Sequence, residues 1–257
     1  EEGVDSIRDY KALCTGSHPE YHTPQTLFAL QNYRDQGGRL VYLGGNGFYW
    51  KIALSPEDPE LIEIRRGESG IRAWAAEPGE YYHSFDGSYG GLWRRNGRPP
   101  QLLAGVGFSA QGKFEGSYYR RTAESRAPDL AWMFEGIEDQ EILGDFGFSG
   151  GGAAGFELDR ADVRLGTPEE VRVVASSENH TSSFVLVPEE MLTHITNWPG
   201  EEEQQKLIRS DIVYFRTPSG GEVFSTGSIT FCGSLPWNDF DNNISRLMEN
   251  VIRRFLL

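Results

Sequence analysis

Cysteine is nearly absent from this chain of 257 residues, and the two that occur, Cys14 and Cys232, each stand alone in an apolar, strand-like run. With no CxxC pair and no disulfide framework, the pattern excludes a stapled secreted scaffold and favours a reducing, cytoplasmic setting with two buried structural thiols. Long apolar runs are absent too. None approaches the ~20 residues that a membrane-spanning helix needs, and nothing with the pattern of a signal peptide precedes the first strand-like run. Positive charge is short: 24 Lys and Arg stand against 38 Asp and Glu, a formal net charge of −14. A surface of that sign repels phosphate backbones and anionic lipid, so nucleic-acid and membrane-surface roles are not expected. A small neutral or cationic substrate, or a metal ion, suits the charge better. No internal repeat, no HExxH and no Ser-His-Asp order occurs.

Aromatic residues make up 12% and are spread along the whole chain, so it reads as globular throughout. Residues 1–48 form a βαβ unit. Tyr10 to Thr15 is a strand, and Thr23 caps a helix whose first position is Pro24. Leu27, Leu30 and Tyr33 recur at helical spacing, Gly37-Gly38 stops the helix, and Arg39 to Leu43 is the next strand. A strand, a short helix and a strand imply a parallel pair. From 49 to 160 short runs such as Trp50–Leu54, Leu61–Arg65 and Leu102–Phe108 are broken by Gly, Pro and Asn, the texture of a β-rich insertion. The glycine-rich stretch from Gly144 to Gly155 is left without secondary structure.

An α/β texture returns over 161–257. Strands are read at Val171–Ser176 and Phe184–Val187, and a helix from Pro188 to about Ile195. A β-pair, Ile212–Phe215 with Glu222–Ser225, follows across a Pro-Ser-Gly-Gly turn. The closing helix carries one apolar stripe of Ile244, Leu247, Met248, Val251, Ile252 and Phe255. The first strand falls within about ten residues of Glu1, where an open α/β domain normally places central strands, so upstream sequence is expected to be missing.

Three stretches have the makings of a site. The loop Gly16 to His22 follows a strand, where open α/β sheets bind ligands. His18 and Glu20 lie two apart around Pro19, so both point to one side of an extended loop. They suit either a metal ligand with its neighbour or an acid/base pair, or else ordinary polar loop work. Next, Gly44-Gly45-Asn46-Gly47 ends the second strand as a sharp turn that holds Asn46 at its tip. An amide there is no nucleophile, but it can orient a substrate carbonyl or donate to an oxyanion; the alternative is a self-bonded turn. The third, Gly150 to Glu157, matches GxGxxG by letter. No strand clearly enters it and no helix clearly leaves it, so a dinucleotide loop is rejected. Glu157 is left as a carboxylate delivered to a cleft, or as a surface residue.

Five segments together are similar to the large subunit of bacterial N,N-dimethylformamidases: TGSHPEYHTPQTLFALQNYRDQGGRLVYLGGNGFYW, GLWRRNGRPPQLLAGVGF, GGAAGFELDR, ASSENH and VFSTGSITFCGSLPWNDFDNNISRLMENVIRRF. The likeness runs in order over nearly the whole chain. It implies an α/β fold: a glutamine-amidotransferase-like (ThuA-like) three-layer domain, N-terminally incomplete, with a β-rich insertion. It also implies hydrolysis of N,N-dimethylformamide, or a related small amide, at a mononuclear iron (Fe3+) held by two tyrosinates and one glutamate. In that resemblance Glu20 matches the iron-ligating glutamate and His18 its close neighbour. Asn46 matches the active-site asparagine and Glu157 the catalytic glutamate. Both tyrosine ligands match positions upstream of residue 1, and Tyr21, Tyr42 and Tyr49 do not replace them. The chain alone is then expected to lack iron and to be inactive. Its implied partners are the missing N-terminal part, a small subunit and further copies of itself. The alternative from another class is a non-catalytic or sugar-related binding domain, with Asn46 at a dead elbow.

Overall fold

The computed structural model describes residues 1–67, 77–187 and 197–257. Strand β1 (Ala12–Cys14), helix α1 (Pro24–Asp35) and strand β3 (Arg39–Tyr42) form the first unit, with β2 (Tyr21–His22) in the connecting loop. Thr23 accepts the Thr26 N–H at the start of α1, and Pro24 takes the first helical turn, where its missing N–H costs nothing. β1 and β3 pair in parallel, as the strand–helix–strand order implied, although β1 is shorter than the apolar run around it. The Gln36 N–H bonds back to Asn32 and that of Gly38 to Tyr33. The latter closes the helix through Gly37, whose φ is +96°.

The remaining strands are β4 (Trp50–Leu54), β5 (Ile62–Ile64), β6 (Gly107–Arg121), β7 (Ala154–Arg160), β8 (Arg172–Glu178), β9 (Val185–Leu186), β10 (Asp211–Arg216) and β11 (Glu222–Ser225). An eight-stranded mixed sheet runs β1-β3-β11-β10-β8-β6-β7, with β9 added to β6, and a second, three-stranded sheet runs β2-β4-β5. β11 joins β3 in parallel, so β1, β3 and β11 all end at one edge of the sheet. The stretch from 49 to 160, read as an insertion, therefore divides. Its first part builds the small sheet, whereas β6 and β7 are strands of the main one.

Side-chain alternation shows how the main sheet is covered. Leu40, Tyr42, Val213, Phe215 and Val223 face a core with Leu27 of α1 and with Leu103 and Ala104 of helix α2 (Pro100–Ala104). Val41, Ile212, Tyr214 and Phe224 face the opposite core, built on the C-terminal helix Asn243–Leu256. Helix thus covers both faces of a mixed sheet, an α/β arrangement. The closing helix buries Ile244, Leu247, Met248, Val251 and Phe255, and Asn242 caps it by accepting the Ser245 N–H.

Several expectations are corrected. Leu102 to Phe108 is not one strand-like run: Pro99-Pro100 start a helix, Gly105 ends it at φ +79°, and β6 begins at Gly107. Phe156 to Arg160 lies in strand β7, which begins at Ala154 inside the glycine-rich stretch. Cys14 is exposed at the end of an edge strand. Cys232 is half-buried in a 3-10 turn and donates to the Leu43 carbonyl, so the thiols are not two buried core residues. The helix read at Pro188 to Ile195 falls outside the described residues. Among those described, no helix is long and apolar enough to cross a membrane.

The apolar stripe of the C-terminal helix predicts an ordered pair of losses. Leu247→Ala should cost about 3 kcal/mol, as a cavity in a closed core does, and Asn242→Ala about 1 kcal/mol through the lost cap. Urea unfolding checks both, and equal losses would contradict this account of the helix.

Candidate active site

The parallel ends of β1 and β3 place two loops side by side, and the backbone stitches them together. Gly45 N–H donates to the Ser17 carbonyl and Phe48 N–H to Pro19. Tyr49 and Trp50 N–H both donate to Glu20. The β2–β4 pairing, Tyr21 beside Trp50, continues the seam. This close approach explains the glycines. A Cβ on Gly44 would stand 2.3 Å from the Ser17 carbonyl oxygen, and one on Gly45 2.6 Å from that of Glu157. Asn46 and Phe48 sit at φ +51° and +55°, a left-handed turn that non-glycine residues adopt at a cost.

β7 supplies the third wall. The long β6 pairs with β8 through Tyr118–Arg121 and with β7 through Gly107–Ser117, carrying β7 against the segment that follows β11. Asp159 N–H donates to Gly227 and Ile229 N–H to Glu157, and Gly155 N–H donates to the Ser228 hydroxyl. Glu157 thus points inward from a paired strand at 6% exposure, not from a surface loop. Phe156, just before it, sits at φ +60°.

All four residues singled out in the sequence meet here. His18 Nε2 lies 3.3 Å from Glu20 Oε2 and 3.3 Å from Glu157 Oε2. Asn46 Nδ2 donates to Glu20 Oε1 at 3.3 Å, which fixes the amide orientation because a carboxylate cannot donate. Asn46 Oδ1 is buried with no hydrogen-bond partner among the described residues. The cluster opens into a pocket of about 240 Å³, lined by Glu20, Asn46 and Glu157 with Tyr21, Tyr49, Trp50 and Arg66. That volume admits a small ligand and not a drug-sized one.

Two further residues were not found from sequence. Asp159, fully buried, accepts the Asn46 N–H at Oδ1 (2.7 Å) and the Tyr42 hydroxyl at Oδ2 (2.9 Å). The Tyr42 oxygen in turn accepts the Gly47 N–H at 2.7 Å. Burial pushes Asp159 up to about 8 although both donors favour its anion, and the charge of Glu157 adds to the rise. Burial, then the charge of Asp159, holds the Tyr42 phenol well above its ordinary value. Neither was singled out in the sequence; the one available signal was the Glu157–Asp159 spacing, which puts both acids on one face of a strand.

The donors present do not make a complete iron site. Among the described residues no group of three or more His, Cys, Asp or Glu is placed to hold a metal. The Tyr42 hydroxyl is committed to Asp159 and Gly47, and that of Tyr21 receives Arg66. Glu20 offers one hard carboxylate; the His18 imidazole and the Glu157 carboxylate stand near it, but among the described residues the three are not grouped to hold a metal.

Residues 1–243 match the family described as N,N-dimethylformamidase beta subunit-like, C-terminal, and the chain belongs to that family. It is 41% identical to the N,N-dimethylformamidase beta subunit of an Alcaligenes species and 42% identical to that of Paracoccus aminophilus, over 256 residues in each case. Both alignments cover 100% of this chain and 33% of the relative, so the chain spans about a third of their length. The resemblance read as one to a large subunit is thus to chains named beta subunit.

Two outcomes follow from this packing. Gly45→Ala forces its methyl onto the Glu157 and Ile229 backbone and should cost about 1–3 kcal/mol in urea unfolding; full stability would show that the two loops are not locked together. Asp159 is raised from its ordinary value near 4, so its contribution to stability is fully present below about pH 4 and is lost as pH rises through about 8. Wild type should therefore lose stability relative to Asp159→Asn across that window. Parallel pH curves for the two proteins would contradict the raised value.

Proposed function

We propose, from the chain's place in the N,N-dimethylformamidase beta subunit-like family and from the site geometry, that it carries the carboxylate side of an amidohydrolase centre. That centre cleaves N,N-dimethylformamide or a related small N-substituted amide to an amine and a carboxylate. One observation carries the reading: a single imidazole nitrogen meets both carboxylates at the edge of a pocket sized for a small amide.

In the proposed reaction a water sits between Glu157 and the unpartnered Asn46 Oδ1. Glu157 takes one proton as the water oxygen bonds to the amide carbon, and Asn46 Oδ1 accepts the other hydrogen. The carbonyl oxygen becomes an oxyanion, steadied by the Asn46 Nδ2 hydrogen that Glu20 does not use. Glu157 then returns its proton to nitrogen as the C–N bond breaks. The carboxylic acid released gives its proton to the amine, leaving carboxylate and ammonium. His18, 3.3 Å from each carboxylate, is placed to steady both. Glu20 is proposed as one ligand of a mononuclear iron (Fe3+), which when bound would polarise the carbonyl as a Lewis acid. Its other ligands, two tyrosinates, have to come from outside this chain, and so does whatever partner subunit completes the enzyme. The convergence of Glu157 with Glu20 favours this reading over a binding module, in which Glu157 has no reason to face His18.

Assay of the assembled enzyme on N,N-dimethylformamide tests it. Glu157→Gln should lower kcat by about 10²–10⁴-fold, the usual worth of a positioned base. Glu20→Gln should remove bound iron and its phenolate-to-iron absorption. Full turnover in Glu157→Gln refutes the base assignment, and a colourless, iron-free wild type refutes the metal assignment.

A further inference from the structure

We infer that Asp159 is a positioning residue for this site: it sets where the Asn46 carboxamide stands by clamping the backbone of the Gly45–Phe48 turn. The inference rests on the proposed hydrolytic reading for its kinetic consequence, but not for its geometry. Asp159 is completely buried, and its two described bonds go to neutral donors: the Asn46 N–H and the Tyr42 hydroxyl. Through Tyr42 it also reaches the Gly47 N–H, so one carboxylate secures two successive amides of the turn.

That turn needs an anchor. Asn46 and Phe48 are both in the left-handed region, which non-glycine residues adopt only when the surroundings hold them there. Released from Asp159, the turn would relax toward an ordinary backbone and swing the Asn46 side chain away from Glu20. An apolar side chain at 159 would leave the buried Asn46 N–H and Tyr42 hydroxyl without their acceptor, so the position calls for a hydrogen-bonding group. The placement also ties the site together. Asp159 and Glu157 are two residues apart on β7, so the strand that supplies the proposed base also fixes the distance from it to the proposed water-orienting amide. The clamp survives a change of protonation at Asp159, because Oδ1 accepts the Asn46 N–H in either form. An asparagine at 159 retains that same bond through its own Oδ1.

Two readouts on the assembled enzyme test this. In hydrogen exchange, a peptide spanning residues 43–49 should exchange about tenfold or more faster in Asp159→Ala than in wild type, and near the wild-type rate in Asp159→Asn. In kinetics, Asp159→Ala should lower kcat about 100-fold, the scale of an ångström-sized misplacement, with KM within about threefold. Asp159→Asn should recover to within about tenfold of wild type. Tyr42→Phe removes only the Gly47 arm and gives the same two changes at smaller amplitude should the alanine variant fail to assemble. Unchanged exchange in Asp159→Ala and Tyr42→Phe overturns the clamp. Faster exchange with undiminished kcat overturns its role in positioning. If wild type turns over no amide, the hydrolytic reading fails, and the exchange rates alone still decide whether Asp159 holds the turn.

Discussion

Taking Glu20 and Glu157 out of water onto one imidazole nitrogen is the constraint on which the local structure depends. A buried carboxylate costs several kcal/mol unless it is paired or hydrogen-bonded, and two facing the same nitrogen also repel each other. His18 and Asn46 offset part of that cost, and the rest is met by rigidity. Backbone bonds lock the His18–Glu20 loop to the Asn46 turn, while β7 is held against the segment after β11. Each segment that would let the acids drift apart is tied by backbone hydrogen bonds to a segment distant in sequence.

The layers behind the site serve the same end. β1, β3 and β11 run parallel and deliver their carboxyl ends to one edge, and helices close both faces of the sheet. The small sheet extends the loop-to-loop seam outward through Tyr21 and Trp50, which line the pocket. A larger, mostly apolar cavity of about 390 Å³ lies between α1, β4 and the N-terminal residues, but it lacks the paired carboxylates that give the smaller one its chemistry.

Local patterns made the ends of the chain legible. Thr23-Pro24 and Gly37-Gly38 bracket α1, the turn after Phe215 marks the β10–β11 pair, and the apolar stripe gives the last helix its buried face. The middle was not legible, because its glycines serve close backbone approach and not only turns. A Cβ on Gly116 would lie 2.4 Å from the Gly152 carbonyl oxygen, and one on Gly155 2.3 Å from that of Glu115. Read as breakers, these residues hide the long β6 and the start of β7, whose pairing spans tens of residues. His18, Glu20 and Asn46 stood out because parallel strands end where they occur. Glu157 stands after the glycine run as either a cleft carboxylate or a surface residue, the resemblance gives it its role, and its burial shows only once β7 is placed. Asp159 and Tyr42 escaped notice because the Glu157–Asp159 spacing points to a shared face only once that stretch is known to be a strand.

A structure of the assembled enzyme with a slowly turned-over small amide in place tests the central claim most directly. The amide carbon should lie within about 4 Å of a Glu157 carboxylate oxygen or one water away from it, with its oxygen toward Asn46 Nδ2. An amide seated in the apolar cavity beside Ile7 and Leu30, with the Glu20–Glu157 pocket untouched, would contradict it.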